Sequence, residues 1–402
     1  MSVHINTEND DIAVNNFRTY LQIRTTQPDV DYASCVAFLR LQARQLQLSM
    51  QVIDTVPDKP IVLMTWTGLE PDLPAILLNS HMDMTKIIKE WRHDPFSAYL
   101  DTNDQKIYAR GAQDSKCVGI QYLEAVRRLK ISGRLLNRTI YITFMPDAEV
   151  GGLEGMYRFV RTEQFGKLNI GYALDAGRPS PNYDIAVFTG EKCFWNLRIR
   201  CSGNLGDGSL ILANTAGEKM TGVLKKFFTF RTAEMQKLID NPEWTLADVV
   251  TMNLTKIEGG PQRNMLKSEF VLTFDCRIPL GTEDTEEVHE TMLQWCRDVA
   301  DDVSIQYLVR EEQIPPTETD DKYWEVLKKE VEDFGLDIHC ETFPGRTDSR
   351  HLREMGIPVV GFSPIPFTPV HLHENNEHIE TLYFLKGIKI YYNILIQMGN
   401  LP

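Results

Sequence analysis

The 402-residue chain has no C-x-x-C pair, no long Lys/Arg run, no internal repeat and no low-complexity tract. Nothing in it approaches the ~18 consecutive apolar residues of a membrane span, so a transmembrane protein is not expected. Positive charge is the scarcer sign: 42 Lys and Arg stand against 56 Asp and Glu, a net charge of −14. An acidic chain is poorly suited to gripping phosphates, which argues against nucleic acid and anionic membrane surfaces as partners. The seven cysteines (Cys35, Cys117, Cys193, Cys201, Cys276, Cys296, Cys340) are scattered and odd in number. Neither a disulfide framework nor a cysteine zinc site is therefore expected. Residues 1–11 are polar and acidic where a secretory leader needs a basic start and an apolar stretch. These absences predict a reduced, soluble, cytoplasmic protein.

What is present is an ordinary globular composition, long enough for two or three domains. Apolar spacing is helical from Asp11 to Leu48. Ile61 to Thr67, Ala75 to Asn79, Ile140 to Phe144 and Tyr172 to Leu174 read as strands, with a helix between Asp114 and Leu129. Strands alternating with helices predict a mainly parallel α/β sheet with its sites at the carboxyl ends of strands. After Gly190 the order becomes strand, helix, strand, strand, helix, strand, a ferredoxin-like βαββαβ unit. Alternation returns at Lys322, with helices near 322–334 and 382–397 around a strand from Pro358 to Phe362. The expectation is one α/β domain, 1–189 and 314–402, interrupted by a smaller one, 190–313.

Four features carry possible chemistry. His81-Met-Asp83 follows an apolar strand, Asp114 sits in a turn before a helix, Glu149 follows another strand, and His371-Leu-His373-Glu374 follows a proline-containing loop. Alone, each is ordinary: His-x-Asp is common in loops, and an Asp before a helix is usually its N-cap. Together, imidazoles and carboxylates at several strand ends are the set from which a zinc hydrolase is built. His4, His93, His289, His339, His351 and His378 show no such clustering and read as structural or surface residues.

The motifs Asn79-Ser-His81-Met-Asp83, Tyr108-Ala-Arg-Gly-Ala-Gln-Asp114-Ser-Lys-Cys-Val, Pro146-Asp-Ala-Glu149-Val-Gly-Gly and Phe362-Ser-Pro…His371-Leu-His373 occur in this order along the chain. They resemble the dinuclear zinc peptidases and N-acyl-amino-acid amidohydrolases, the aminoacylase-like family. That resemblance implies a catalytic α/β domain with an inserted lid and dimerisation domain, a homodimer, and small N-acyl amino acids as substrates. It implies that His81 and Asp114 hold one zinc, and that Asp114 bridges to a second held by Glu149 and His373. By the same resemblance Asp83 orients His81, Arg350 grips the substrate carboxylate, and Asn264 contacts substrate from the lid.

The departures from that pattern are at chemically decisive places. The family's general-base glutamate is replaced by Ala148, its third ligand to the first zinc by Ala176, and its lid histidine for the oxyanion by Asp207. Losing a general base forfeits about 10²–10⁴ in rate, and losing an oxyanion donor about 10²–10³ more. The expectation is one zinc ion per chain, on Asp114, Glu149 and His373, with binding of acyl-amino-acid carboxylates retained and hydrolysis weak or absent. Two alternatives stay open: an active amidohydrolase using Glu374, His371 or Asp147 as a rearranged base, and a non-catalytic dimer partner of an active relative.

Overall fold

The computed structural model describes residues 7–88, 90–260, 264–281 and 284–402. The chain divides into two compact units. The larger comprises Met1–Thr189, Thr317–Glu341 and Thr347–Pro402, the smaller Gly190–Pro316 and Thr342–Arg346. The smaller unit thus runs past the expected residue 313 and takes in Thr342–Arg346 as well.

The larger unit is built on an eight-stranded sheet. Across it the strands run Ser49–Asp54, Pro60–Trp66, Ile140–Met145, Ala75–His81, Ile170–Asp175, Val359–Gly361, Asp184–Glu191 and Asp337–Phe343. The four central strands are parallel, the pattern expected of a mainly parallel α/β fold. Their side chains alternate between two cores because successive residues of a strand point to opposite faces. Ile76 and Leu78 join the core beneath the helices Lys116–Ile131 and Thr381–Gly399, whereas Leu77 joins Phe159, Phe165 and Leu352 on the other face. Gly119 lets the first of those helices lie close: a Cβ there would be 2.8 Å from Ser80 Oγ and from Phe144 Cε1.

In the smaller unit a four-stranded antiparallel sheet is ordered Thr251–Gly259, Glu269–Ile278, Cys193–Ser202, Ser304–Arg310. The first strand in the chain therefore lies between the third and the fourth, the split arrangement of a ferredoxin-like βαββαβ unit. Its helices Ala216–Asp240 and Thr285–Val299 cover the face carrying Trp195, Leu197, Ile199 and Phe274. Thr215 and Glu218 close a reciprocal capping box at the start of the longer helix.

The continuous helical spacing read over 11–48 resolves into two helices, Thr7–Gln22 and Ala33–Gln45. The segment between them contains Pro28, which has no N–H to give a helix. The strands Ser49–Asp54, Asp184–Glu191 and Asp337–Phe343 had no counterpart in the sequence reading. All seven cysteines are free thiols, six of them buried and Cys340 exposed. Among the described residues no helix is long and apolar enough to cross a membrane.

Candidate metal centre

The central strands deliver the site. Ala75–His81 ends at His81, Ile140–Met145 leads into the turn carrying Glu149, and Ile170–Asp175 ends just before Ala176. Asp114 precedes the helix Lys116–Ile131 but is not its N-cap, a position taken by Ser115. Ser115 Oγ accepts the backbone N–H of His81 at 3.0 Å, so the helix start is fastened to the strand end.

Four of the expected ligands come together. His81 Nε2 lies 3.1 Å from Asp114 Oδ1, and His373 Nε2 lies 3.1 Å from Asp114 Oδ2 and 3.2 Å from Glu149 Oε2. His81, Asp114 and Glu149 each offer a ligand atom within 4.8 Å of the others. Zinc bonded at ~2.0–2.1 Å in a tetrahedron sets its ligand atoms about 3.3 Å apart. His81, Asp114 and Glu149 are thus a group that could hold a metal ion, and His373 stands 3.1 and 3.2 Å from its two carboxylates.

The electrostatics favour positive charge in this nest. Bonds to Asp114 and Glu149 push the pKa of His373 up to about 10, overcoming the opposing effect of partial burial. Burial works against a charged His81 as well, yet its contacts with Asp114 and Asp83 raise it well above the ordinary value. Burial would raise Asp114, but the two imidazoles hold it below the usual carboxylate range. Glu149 is pushed up by burial and by the charge of Asp114.

Asp83 is fully buried and sits behind the ligands. Its carboxylate is 3.5 Å from His81 Nδ1 and accepts the backbone N–H groups of Ala148 at 3.2 Å and Glu149 at 3.0 Å. Gln27 Nε2 donates to the same carboxylate at 2.8 Å, a contact across 56 residues that no local motif announces. Asp83 thus steadies both His81 and the glutamate turn.

Ala176, expected from the resemblance to stand at the third-ligand position, directly follows the strand Ile170–Asp175 and carries only a methyl. Asp175 does not substitute for it. Its Oδ1 accepts Asn79 Nδ2 and the Ala176 N–H, both at 2.9 Å, and its Oδ2 accepts the N–H and hydroxyl of Ser349 at 3.0 and 2.7 Å. Asn79 Nδ2 also reaches Asp348 Oδ2 at 3.3 Å. This network ties the His81 strand to the short helix Ser349–Glu354, on which Arg350 is buried with Nη2 4.0 Å from Glu354 Oε1. Asp147, next to Ala148, is committed elsewhere: Lys59 Nζ donates to Oδ1 at 2.8 Å and the Glu154 N–H to Oδ2 at 2.9 Å. His371 Nδ1 lies 2.9 Å from Glu374 Oε2.

In the smaller unit, Asp207 is exposed on the two-residue strand Gly206–Asp207, paired with Met265–Leu266. Its Oδ1 accepts the N–H and hydroxyl of Ser209 at 2.9 and 2.7 Å, and these bonds lower its pKa. Asn264 is exposed, its carbonyl accepting the Gly208 N–H at 2.8 Å. Of the other histidines, His289 lies 2.7 Å from the Tyr307 hydroxyl, His339 2.7 Å from Asp184, and His93 stacks on Tyr99. His4 falls outside the described residues.

Residues 77–397 match the model of peptidase family M20/M25/M40. The chain is 40% identical over 398 residues to aminoacylase-1 of Homo sapiens, covering 98% of this chain and 97% of that protein. The M20 family metallo-carboxypeptidase Sso-CP2 of Sulfolobus solfataricus superposes with a TM-score of 0.75 at 15% identity, over 96% of this chain and 99% of that one. The YXEP protein of Bacillus subtilis, a dinuclear metal-binding peptidase of the M20 family, gives 0.69 at 14% identity, over 97% and 98% of the two chains. The family match takes in the smaller unit and includes His81, Asp114, Glu149 and His373. The chain is an aminoacylase-1-like member of peptidase family M20/M25/M40.

Proposed function

We propose that the chain binds one zinc ion on Asp114, Glu149 and His373 and captures N-acyl amino acids by their carboxylate, hydrolysing them weakly or not at all. What supports this reading is His373 Nε2 at 3.1 and 3.2 Å from the carboxylates of Asp114 and Glu149, in a chain that has Ala148 and Ala176 where the family pattern has acids. When bound, the ion would polarise a carbonyl and lower the pKa of a water toward ~7. His81, with Asp83 behind it, is a further donor within 4.8 Å of the Asp114 and Glu149 ligand atoms.

Proton transfer is the missing capability. Ala148 has no atom that accepts a proton, and Asp147 is held by Lys59 and the Glu154 N–H. Asp207, where the family pattern has its lid histidine, has a carboxylate that already accepts from Ser209. Carboxylate capture is assigned to Arg350, with Asn264 as a second contact, and pairing of two copies to the smaller unit. A second reading, an active amidohydrolase with a rearranged base, is favoured by the His371–Glu374 pair, a carboxylate-held imidazole two residues from His373.

Metal analysis of purified protein, with hydrolysis and calorimetric binding of N-acetyl-methionine, tests the proposal. One zinc per chain, measurable binding and turnover at least about 10³-fold below ordinary enzymes are expected. Turnover on the order of 10 s⁻¹ would establish the rearranged-base reading. Absence of any binding by the native protein would leave only a non-catalytic partner role.

A further inference from the structure

We propose that Glu377 and Arg110 are a positioning pair that sets the separation of Asp114 from His373, and through it the affinity for a metal ion. The proposal rests on the assignment of Asp114, Glu149 and His373 as ligands and extends it to two residues that touch no ligand atom.

Glu377 is fully buried and Arg110 nearly so. The Glu377 carboxylate gathers four donors. Its Oε1 accepts the backbone N–H of Gln113 at 2.6 Å and of Asp114 at 3.3 Å. Its Oε2 accepts the Gly111 N–H at 3.2 Å and Arg110 Nη1 at 2.8 Å. The peptide leading into Asp114 is thus wound around one side chain, as N–H groups wind around a bound anion. Arg110 carries the link onward, its Nη2 donating to the backbone carbonyl of His373 at 3.3 Å. The guanidinium lies over the Trp91 ring, 5.1 Å from its centroid, which fixes its plane. Gln113 ties the same two segments again, donating to the carbonyls of Pro369 and His378 at 3.0 and 2.8 Å and accepting the His371 N–H at 2.8 Å.

A carboxylate removed from water is costly unless its lone pairs are filled, and here they are. The geometric result is that the backbones of Asp114 and His373 are both referred to one ion pair. Because the two oxygens of Asp114 face His81 and His373, each at 3.1 Å, a shift of its peptide alters both contacts together. The ligands themselves have rotatable side chains; the pair supplies the fixed distance between their backbones.

The test is the zinc dissociation constant, measured by chelator competition, for the native chain, Glu377→Gln and Arg110→Lys, alongside the thermal midpoint of each zinc-free protein. Glu377→Gln is expected to weaken zinc about 10- to 100-fold, because the amide keeps one acceptor and turns an N–H toward N–H donors. Arg110→Lys is expected to weaken it about tenfold, since a single ammonium lacks the planar fork that reaches both Glu377 and the His373 carbonyl. The visible spectrum of the cobalt(II) form should shift in both variants. Lowered zinc-free midpoints with unchanged zinc affinity of the folded protein would overturn the positioning role and leave the ligand assignment standing. A native protein that takes up no zinc would overturn both. If Glu377→Gln fails to fold, Arg110→Lys decides alone.

Discussion

The two sides of Asp114 differ by one side chain's worth of chemistry. On the Oδ2 side, His373 and Glu149 complete a compact set of ligand atoms, the imidazole 3.1 and 3.2 Å from the two carboxylates. On the Oδ1 side His81 lies 3.1 Å from Asp114, and Ala176, just after the strand Ile170–Asp175, has only a methyl to offer. Yet the scaffold beneath that poorer side is intact: Asn79, Asp175 and Ser349 remain fully bonded to one another. The hydrogen-bonded framework at this strand end is thus built without any side-chain donor from residue 176. The binding chemistry and the supporting fold are separable here.

That comparison can be broken most severely from the richer side. His373→Ala should abolish zinc retention after dialysis against a mild chelator, whereas His81→Ala should leave most of it; elemental analysis distinguishes them. Sharpening the poorer side comes next. Ala176→Glu should raise the stoichiometry from one zinc to two, and the triple change Ala148→Glu, Ala176→Glu, Asp207→His should recover part of a hydrolytic deficit of about 10³. Single changes should recover little, because base, metal and donor act as a unit; steady-state rates on N-acetyl-methionine give the answer. Arg350→Ala should weaken calorimetric binding of that ligand at least about tenfold, as loss of a sheltered bidentate contact implies.

The smallest effect concerns Asp348, beneath the poorer side. It is buried, its Oδ1 has no hydrogen-bond partner, and burial together with nearby Asp175 raises its pKa well above the ordinary value. A carboxyl whose folded pKa is raised stabilises the fold fully below its unfolded pKa, and that contribution is lost as pH rises through the folded value. Urea midpoints of the native protein should thus fall more between pH 4 and pH 8 than those of Asp348→Asn, which carries no charge to bury. Parallel slopes for the two proteins would count against the assignment.

Much of this was legible in the sequence because the signals are local. The strand ending at His81, the helix after Asp114 and the first helix of the βαββαβ unit each run over consecutive residues with a definite period. The strand Ser49–Asp54 was not legible, since it is half exposed and lacks an apolar run. Nor was the contact of Gln27 with Asp83, or the grip of Glu377 on a loop more than 260 residues earlier. A polar side chain that acts by receiving distant backbone N–H groups leaves no pattern around itself. Asp147 was legible as a possible base only because its partner, Lys59, is 88 residues away and invisible to local reading.

The thiols give the molecule a built-in tally of its own unfolding. Six are sealed in the cores, and Cys340, on the strand Asp337–Phe343, is the one that meets solvent. Partial burial raises its pKa, so at neutral pH its thiolate is scarce and it should react slowly with an alkylating reagent. Intact protein should therefore gain one adduct mass and denatured protein seven. A single attachment point also comes free for a fluorophore on the larger unit, with no cysteine needing to be removed first.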